Sequence, residues 1–237
     1  MPTLILKTDG MSAYGLQTFD VTRKINSFPT RSAILGILGA SLGLTRDDHN
    51  KIFDLSNAVI IAVQVHSAGK KIMDYHTIQN FRSPSGKIQK STKQSYREYC
   101  CDSEYSFAIH TTDKLLNDIV EAVKYPRFTV FQGRKSCPLT RPLFERVVDE
   151  SNPVNALIVA GGKGQIFSDT PGPGEISTVQ VRDVITEQPR KYAGVSRTGI
   201  TRENFKNHLP NFVLINLFGL VNNNLHKACK KLLFWQF

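Results

Sequence analysis

Phe28-Pro-Thr-Arg-Ser-Ala-Ile-Leu-Gly-Ile-Leu-Gly-Ala-Ser-Leu-Gly-Leu44 is the stretch on which the reading of this chain turns. Pro29 cannot continue a helix backwards, and the Thr30 hydroxyl can accept a free backbone N–H, so the pattern predicts a helix from Thr30 to Leu44. Ile34, Leu35, Leu38 and Leu42 recur at three- and four-residue spacing and should share a buried face. Gly36, Gly39, Ala40 and Gly43 form a second, nearly bare stripe. Glycine inside a helix costs roughly 1 kcal/mol relative to alanine, so three of them call for a reason. The expected reason is close approach of another backbone, either a sheet beneath or a bound polymer. Arg31 and Ser32 fall in the first turn, where free N–H groups and the helix dipole favour an anion such as phosphate. A plain amphipathic helix with a glycine-lined sheet contact fits the same letters.

Around this helix, 237 residues allow a substantial core in one large domain or two small ones. The apolar share of 41% and charged share of 21% fit a globular protein, and a net charge of +10 favours an anionic partner: nucleic acid, an anionic membrane surface or acidic protein. Cys100, Cys101, Cys137 and Cys229 form no Cys-x-x-Cys pair, so packing in a reducing cytoplasm is the simplest assignment. The N-terminal apolar run is too short for a signal peptide, and no run reaches the roughly 18 residues that a membrane span requires.

Leu4–Lys7 reads as a strand ended by Asp9-Gly10, and Asn57–His66 as a β-branched strand. A weaker helical segment ends near Leu55. Gly69–Tyr99 interleaves Lys70, Lys71, Arg82, Lys87, Lys90, Lys93 and Arg97 with Tyr75, Phe81, Tyr96 and Tyr99, which suits an extended hairpin or a solvated loop. Tyr105–Thr111 reads as a strand, Lys114–Lys124 as a helix capped by Thr112-Asp113, and Arg127–Phe131 as another strand. Strand, helix, strand, strand, helix, strand is the ferredoxin-like order of RNA-recognition folds. Gln132–Arg141 has the makings of a phosphate-holding loop, with Gly133 for backbone freedom, Arg134, Lys135 and Arg141 for charge, and Ser136 and Thr140 as donors. It lacks the ending of a nucleotide-binding P-loop. Val154–Val159 and Ser177–Val184 read as strands, Gly161–Gly164 as a turn, Thr170–Gly174 as an exposed connection and Gln188–Tyr192 as a basic aromatic cluster. A helix fits in the asparagine-rich, apolar tail from Asn207 to Phe237.

Catalytic constellations are wanting. The six histidines make no His-x-x-x-His pair and no metal-ligand spacing, so no metal and no cofactor is expected. Gly39-Ala-Ser-Leu-Gly43 falls within the predicted helix, so no Gly-x-Ser-x-Gly elbow joins a strand to a helix. His76 is the histidine suited to act as a general base on a ribose 2′-hydroxyl, though a surface or RNA-stacking role is the commoner fate of such a residue. His208, Asn222 and His226 carry the letters of an HNH nuclease without its spacing.

Phe28–Ala40, Asp74-Tyr-His-Thr77, Tyr96-Arg-Glu-Tyr-Cys-Cys-Asp102 and Gly133-Arg-Lys-Ser-Cys-Pro-Leu-Thr140, in that order, make the chain resemble the fifth CRISPR-associated protein family in its type I-E form, a subunit of the Cascade surveillance complex. The likeness runs from residue 3 to about residue 205 and leaves the tail aside. It implies an α+β fold: a ferredoxin-like (RNA-recognition-type) domain over residues 1–140 with a protruding β-hairpin thumb at about 74–97, a smaller C-terminal β-rich part over 141–205, and a divergent tail over 206–237. It also implies a cytoplasmic, non-catalytic protein that grips the 5′ handle of the CRISPR RNA (crRNA), contacts the large and backbone subunits, and meets target DNA through the assembled complex. A metal-independent endoribonuclease acting on precursor crRNA is the alternative. Motif position plus chemistry then nominates Arg23, Lys24, Arg31, Ser32, Tyr75, His76, Arg97, Arg127, Gly133, Arg134, Lys135, Ser136 and Arg141 as RNA-binding residues.

Overall fold

The computed structural model describes residues 1–15, 21–45, 47–83, 85–161 and 163–169, together with the backbone of 175–180 and 211–216. It is an α+β fold. The strands are β1 (Thr3–Ser12), β2 (Thr22–Arg23), β3 (Ile60–Ser67), β4 (Lys70–Ile78), β5 (Phe81–Arg82), β6 (Ile88–Gln89), β7 (Lys93–His110), β8 (Phe144–Val148), β9 (Gln165–Ser168), β10 (Glu175–Gln180) and β11 (Asn211–Asn216). The helices are α1 (Arg31–Leu42), α2 (His49–Ala58), α3 (Asp113–Lys124) and α4 (Pro153–Val159). One sheet runs β10-β11-β9-β3-β7-β1-β8, and β2 and β4 also pair with β7.

Side chains alternate across a strand, so the sheet has two faces. Leu4, Leu6, Ile61, Val63, Tyr105, Phe107 and Ile109 point to one of them, under Ile34 and Leu38 of α1 and Leu116, Ile119 and Val123 of α3. Ile5, Ala62 and Ala108 point the other way, under Val154, Ala156 and Leu157 of α4. Each fully buried large apolar side chain contributes roughly 1.5–3 kcal/mol.

The opening helix forms as its letters predict, with differences of detail. Thr30 Oγ1 accepts from Ala33 N, and Gly43 ends the helix in the left-handed conformation at φ +79°. Ile37 is buried and Leu42 only half-buried. The glycine stripe does not rest on a sheet. Gly36 is exposed with no atom within 4 Å of a built Cβ, and Gly39 meets only Leu44. The approaching backbone is instead at the C-terminal end, where Arg127 N and Phe128 N donate to Ser41 O and Ala40 O at 3.1 Å each.

Those two bonds explain why Arg127–Phe131 is not the expected strand: its first N–H groups are engaged by α1. The edge position beside β1 goes to β8, antiparallel to it. Val154–Val159 is a helix rather than a strand. Asn152 Oδ1 caps it by accepting from Val154 N and Asn155 N, and Pro153 takes the first turn. Val154, Ala156 and Leu157 are fully buried while Val159 is 66% exposed, a helical rather than alternating pattern. β1 runs on past Asp9-Gly10, the register shifting between Gly10 and Ser12. The helix expected in the tail is replaced, in its described part, by β11 between β9 and β10. The connection at 170–174, the end of the strand expected over 177–184, the cluster at 188–192, the remainder of 207–237 and Cys229 lie outside the described residues.

Arg31 has a structural partner set. Its guanidinium pairs with Asp169 and donates to Ser56 O at 2.5 Å and Val59 O at 3.1 Å, while Asp169 Oδ2 also accepts from Ile61 N at 3.0 Å. One ion pair thus ties the start of α1 to α2, β3 and the end of β9. Its side chains are 11% and 17% exposed. Removing one partner of such a pair costs on the order of 3 kcal/mol. Arg31→Ala and Asp169→Asn are each expected to lower the urea midpoint by the corresponding amount. An unchanged midpoint would show the pair to be ornamental.

Candidate nucleic-acid interface

β7 is eighteen residues long, and the sheet accounts for only its second half. Residues 103–110 pair with β1, whose Ser12 meets Cys100 after a register shift, and 104–110 pair with β3. From Lys93 to Cys101 the strand continues outward as a ribbon with β4, in unbroken register from Lys70↔Cys101 to Ile78↔Lys93. The hairpin reading of this basic segment is therefore the one realised. A kink marks the exit. Gly69 sits at φ +68°, where a Cβ would lie 2.3 Å from Cys101 O, and Asp102 opposite has φ +57°.

Beyond the kink β4 pairs with β7 alone, so little of it is covered. Met73, Tyr75, Ile72, Ile78 and Tyr96 are all large, apolar and exposed. Tyr75 and Tyr96 are cross-strand partners with ring centroids 5.4 Å apart. Lys70, Lys71, Arg82, Lys87, Lys90 and Lys93 are exposed along the same excursion. His76 contacts Asp74 through Nε2 and Oδ2.

The opposite face of the ribbon's foot is packed. Tyr99 is buried with Ile25 and Cys137. The Arg134 guanidinium lies 4.9 Å from the Tyr99 ring centroid, its Nη1 donates to Glu98 O at 3.0 Å, and its Nη2 reaches Arg23 O at 3.5 Å. Ser136 Oγ bonds Tyr99 OH at 3.4 Å. β2 runs parallel to β7 with Arg23 opposite Arg97, and Ile25 N donates to Glu98 Oε2 at 3.0 Å. Arg97 Nε is buried with no hydrogen-bond partner among the described residues. Burial also pushes the Cys137 thiol pKa up, so this cysteine packs as a neutral group.

The loop after α3 is locked rather than open. Gly133 sits at φ +86° with Ala13 O only 2.2 Å from a built Cβ. Gln132 N donates to Cys137 O at 2.7 Å, Gln132 Nε2 donates to Asp9 O at 2.7 Å, and Thr140 Oγ1 donates to Asp9 O at 2.8 Å. Most of the motif Gly133–Thr140 thus holds the end of β1 and the ribbon's foot together, and Lys135 is its exposed cation.

The structure gathers Arg23, Lys24, Arg97, Gly133, Arg134, Lys135 and Ser136 around this foot, with Tyr75 and His76 on the ribbon above. It separates four nominees. Arg31 is engaged by Asp169, as described above. Ser32 Oγ lies 3.2 Å from Thr30 Oγ1 at the same helix start. Arg127 packs over Gly43 at the far end of α1. Arg141 pairs with Glu145 at 2.5 Å on the approach to β8. For Arg31 this is a correction: its guanidinium is turned into the fold, so the helix start offers no free arginine to a phosphate. Tyr96 and Glu98 join the site although the sequence does not single them out as RNA-binding. Their roles follow only from the β4–β7 register, in which every second residue of Ser95–Tyr99 faces the same way.

A family model described as CRISPR-associated protein (Cas_Cas5) matches residues 3–199. The CRISPR system Cascade subunit CasD of Escherichia coli (strain K12) is 37% identical over 206 residues, spanning 80% of this chain and 92% of that one. A chain of a solved CRISPR RNA-guided surveillance complex superposes with a TM-score of 0.60 at 19% identity, covering 76% of this chain and 80% of that chain. A second solved structure, described as the crystal structure of Cas protein, gives 0.56 at 21% identity, covering 90% and 92%. These two show a shared fold.

Gly133→Ala forces a Cβ against Ala13 O in a left-handed conformation, a cost of roughly 2 kcal/mol. A fall in thermal midpoint is expected by calorimetry. An unchanged midpoint would mean that the loop is not locked to β1.

Proposed function

The chain belongs to the CRISPR-associated protein (Cas_Cas5) family, and from that premise we propose that it serves as the RNA-binding, non-catalytic subunit of a type I-E Cascade complex. In this role it grips the 5′ handle of the crRNA, contacts the large and backbone subunits, and meets target DNA through the assembled complex in antiviral defence. The observation that carries the reading is the basic foot of the β4–β7 ribbon, found in a chain 37% identical to a Cascade subunit.

The strand order β3-β7-β1-β8, with α1 and α3 as crossovers, supports a ferredoxin-like domain. In this reading the domain closes with β8, shortly after Thr140, the β4–β7 ribbon is the thumb, and the segment after β8 is the smaller part. Single-stranded RNA held in a fixed path needs cations along its phosphates and flat groups for unstacked bases. Arg23, Lys24 and Lys135 supply exposed charge, Arg97 and Arg134 supply oriented donors, and Tyr75 and Tyr96 supply the flat groups. A cytoplasmic setting goes with this role. No described helix is long and apolar enough to cross a membrane.

One contact favours a second reading, a metal-independent endoribonuclease: Asp74 orients His76 on an exposed ribbon, an arrangement suited to a general base acting on a 2′-hydroxyl.

Labelled RNA bearing its CRISPR 5′ handle, compared with a scrambled handle across a salt series, tests both. Handle preference is expected, with the RNA intact. Lys24→Ala and Lys135→Ala should each lower the log–log salt slope by about 0.7. Tyr75→Ala or Tyr96→Ala should cost about 1–3 kcal/mol. Equal affinity for both RNAs, unaffected by these variants, would overturn the Cascade reading. Metal-independent cleavage abolished by His76→Ala would install the endoribonuclease instead.

A further inference from the structure

The sheet face under α4 changes character along its length. Ile5, Ala62 and Ala108 lie side by side beneath that helix. One pleat farther along, the same face carries Lys7, Gln64 and Ser106, cross-strand neighbours in register, with His66 and Glu104 beyond them. These polar residues floor a cleft of about 370 Å³, rimmed by Arg146 and Lys163. None of them belongs to the ribbon or its foot.

Gln64 is 1% exposed, and its Nε2 has no hydrogen-bond partner among the described residues. A buried donor left unmet costs about 1–3 kcal/mol, so its presence on the floor of a cleft points to a missing acceptor. The neighbouring groups are already matched. Lys7 pairs with Glu104 at 2.6 Å, and Glu145 pairs with Arg141 at 2.5 Å. His66 Nδ1 lies 3.2 Å from Lys163 O, and its Nε2 lies 2.7 Å from Ser106 Oγ. A carbonyl can only accept, so Nδ1 carries the proton and Nε2 accepts from the serine hydroxyl. Burial holds the His66 pKa below its ordinary value, which keeps this neutral form. Both carboxylates therefore have cations. Arg146 and Lys163 have no carboxylate partner among the described residues, and Arg146 Nη2 is steadied by Ala160 O at 2.7 Å. The cleft presents one buried amide donor below and two uncompensated cations above.

We propose that this cleft binds a single nucleotide unit, its phosphate at Arg146 and Lys163 and an acceptor atom of its base at Gln64 Nε2. A lone phosphate at the rim would leave the amide unmet, whereas a cleft of this volume is in the range that holds a small ligand. The unit can come from a free nucleotide or from an RNA strand, and the second source rests on the RNA-binding reading above.

Titration calorimetry of the folded full chain separates the cases, using uridine and adenosine 5′-monophosphates, ribose 5-phosphate and a labelled handle RNA as probes. A mononucleotide should bind, with at least about tenfold loss in Gln64→Leu, Arg146→Ala and Lys163→Ala. Ribose 5-phosphate should lose affinity only with the two cation variants. Without ligand, Gln64→Leu should keep or raise the thermal midpoint, because it removes the unmet amide. A lowered midpoint with unchanged nucleotide affinity would make Gln64 merely structural and overturn the proposal. RNA binding that responds to these variants, with no mononucleotide bound, would assign the unit to a strand. If neither ligand responds to them, the proposal fails, while Lys24→Ala and Lys135→Ala continue to report on the foot independently.

Discussion

Everything at the candidate interface depends on β7 being one continuous strand, Lys93–His110, shared by the sheet and the ribbon. Its C-terminal half is the centre of the sheet, where Tyr105, Phe107 and Ile109 are buried under the helices. Its N-terminal half has β4 along its length and is otherwise met at the foot by β2 and by Ser12 at the end of β1. An isolated two-stranded ribbon is marginal in water. Here the exposed half extends a strand whose other half is locked in the core, so its direction is set by the sheet. The kink at Gly69 and Asp102 bends the ribbon away without breaking the register beyond it.

The foot is where this constraint meets charge. Arg134 joins its loop to two strands, stacking on Tyr99 and bonding the carbonyl of Glu98 in β7 and that of Arg23 in β2. That arrangement orders two cationic segments, 23–24 and 134–135, against one rigid strand. A cation so held loses little side-chain freedom on meeting a phosphate, whereas a lysine on a loose loop loses more. The loop letters that suggest phosphate binding turn out to build the support. Gly133 admits the Ala13 carbonyl, and Thr140 closes on Asp9. The residues left facing solvent, Lys24 and Lys135 among them, carry the charge.

Local signals were the legible ones. Thr30 and Gly43 delimit α1, the spacing of Leu116, Ile119 and Val123 marks α3, and the β-branched run marks β3, because caps and periodicity act within a few residues. The hairpin character of the basic segment was readable from its turn residues and aromatics. Long-range pairings were not. Nothing near Arg31 announces Asp169, 138 residues away, so a free cation at a helix start was the natural reading. Val154–Val159 looks like a strand from its β-branched ends, and only Asn152 with Pro153 hints at the helix. The fourth strand comes later than the letters of Arg127–Phe131 suggest because Arg127 and Phe128 give their N–H groups to α1. Gln64 and His66 sit inside an apolar run, and which face they take is fixed by register alone.

The most direct test of the account is photo-cross-linking of a handle RNA carrying 4-thiouridine at successive positions, read out by mass spectrometry on the complex assembled with this chain. Cross-links are expected at Arg23–Lys24, Tyr75, Tyr96 and Lys135, on the foot and the ribbon. Cross-links confined to the exposed surfaces of α1 and α3, with none on β4 or β7, would contradict it.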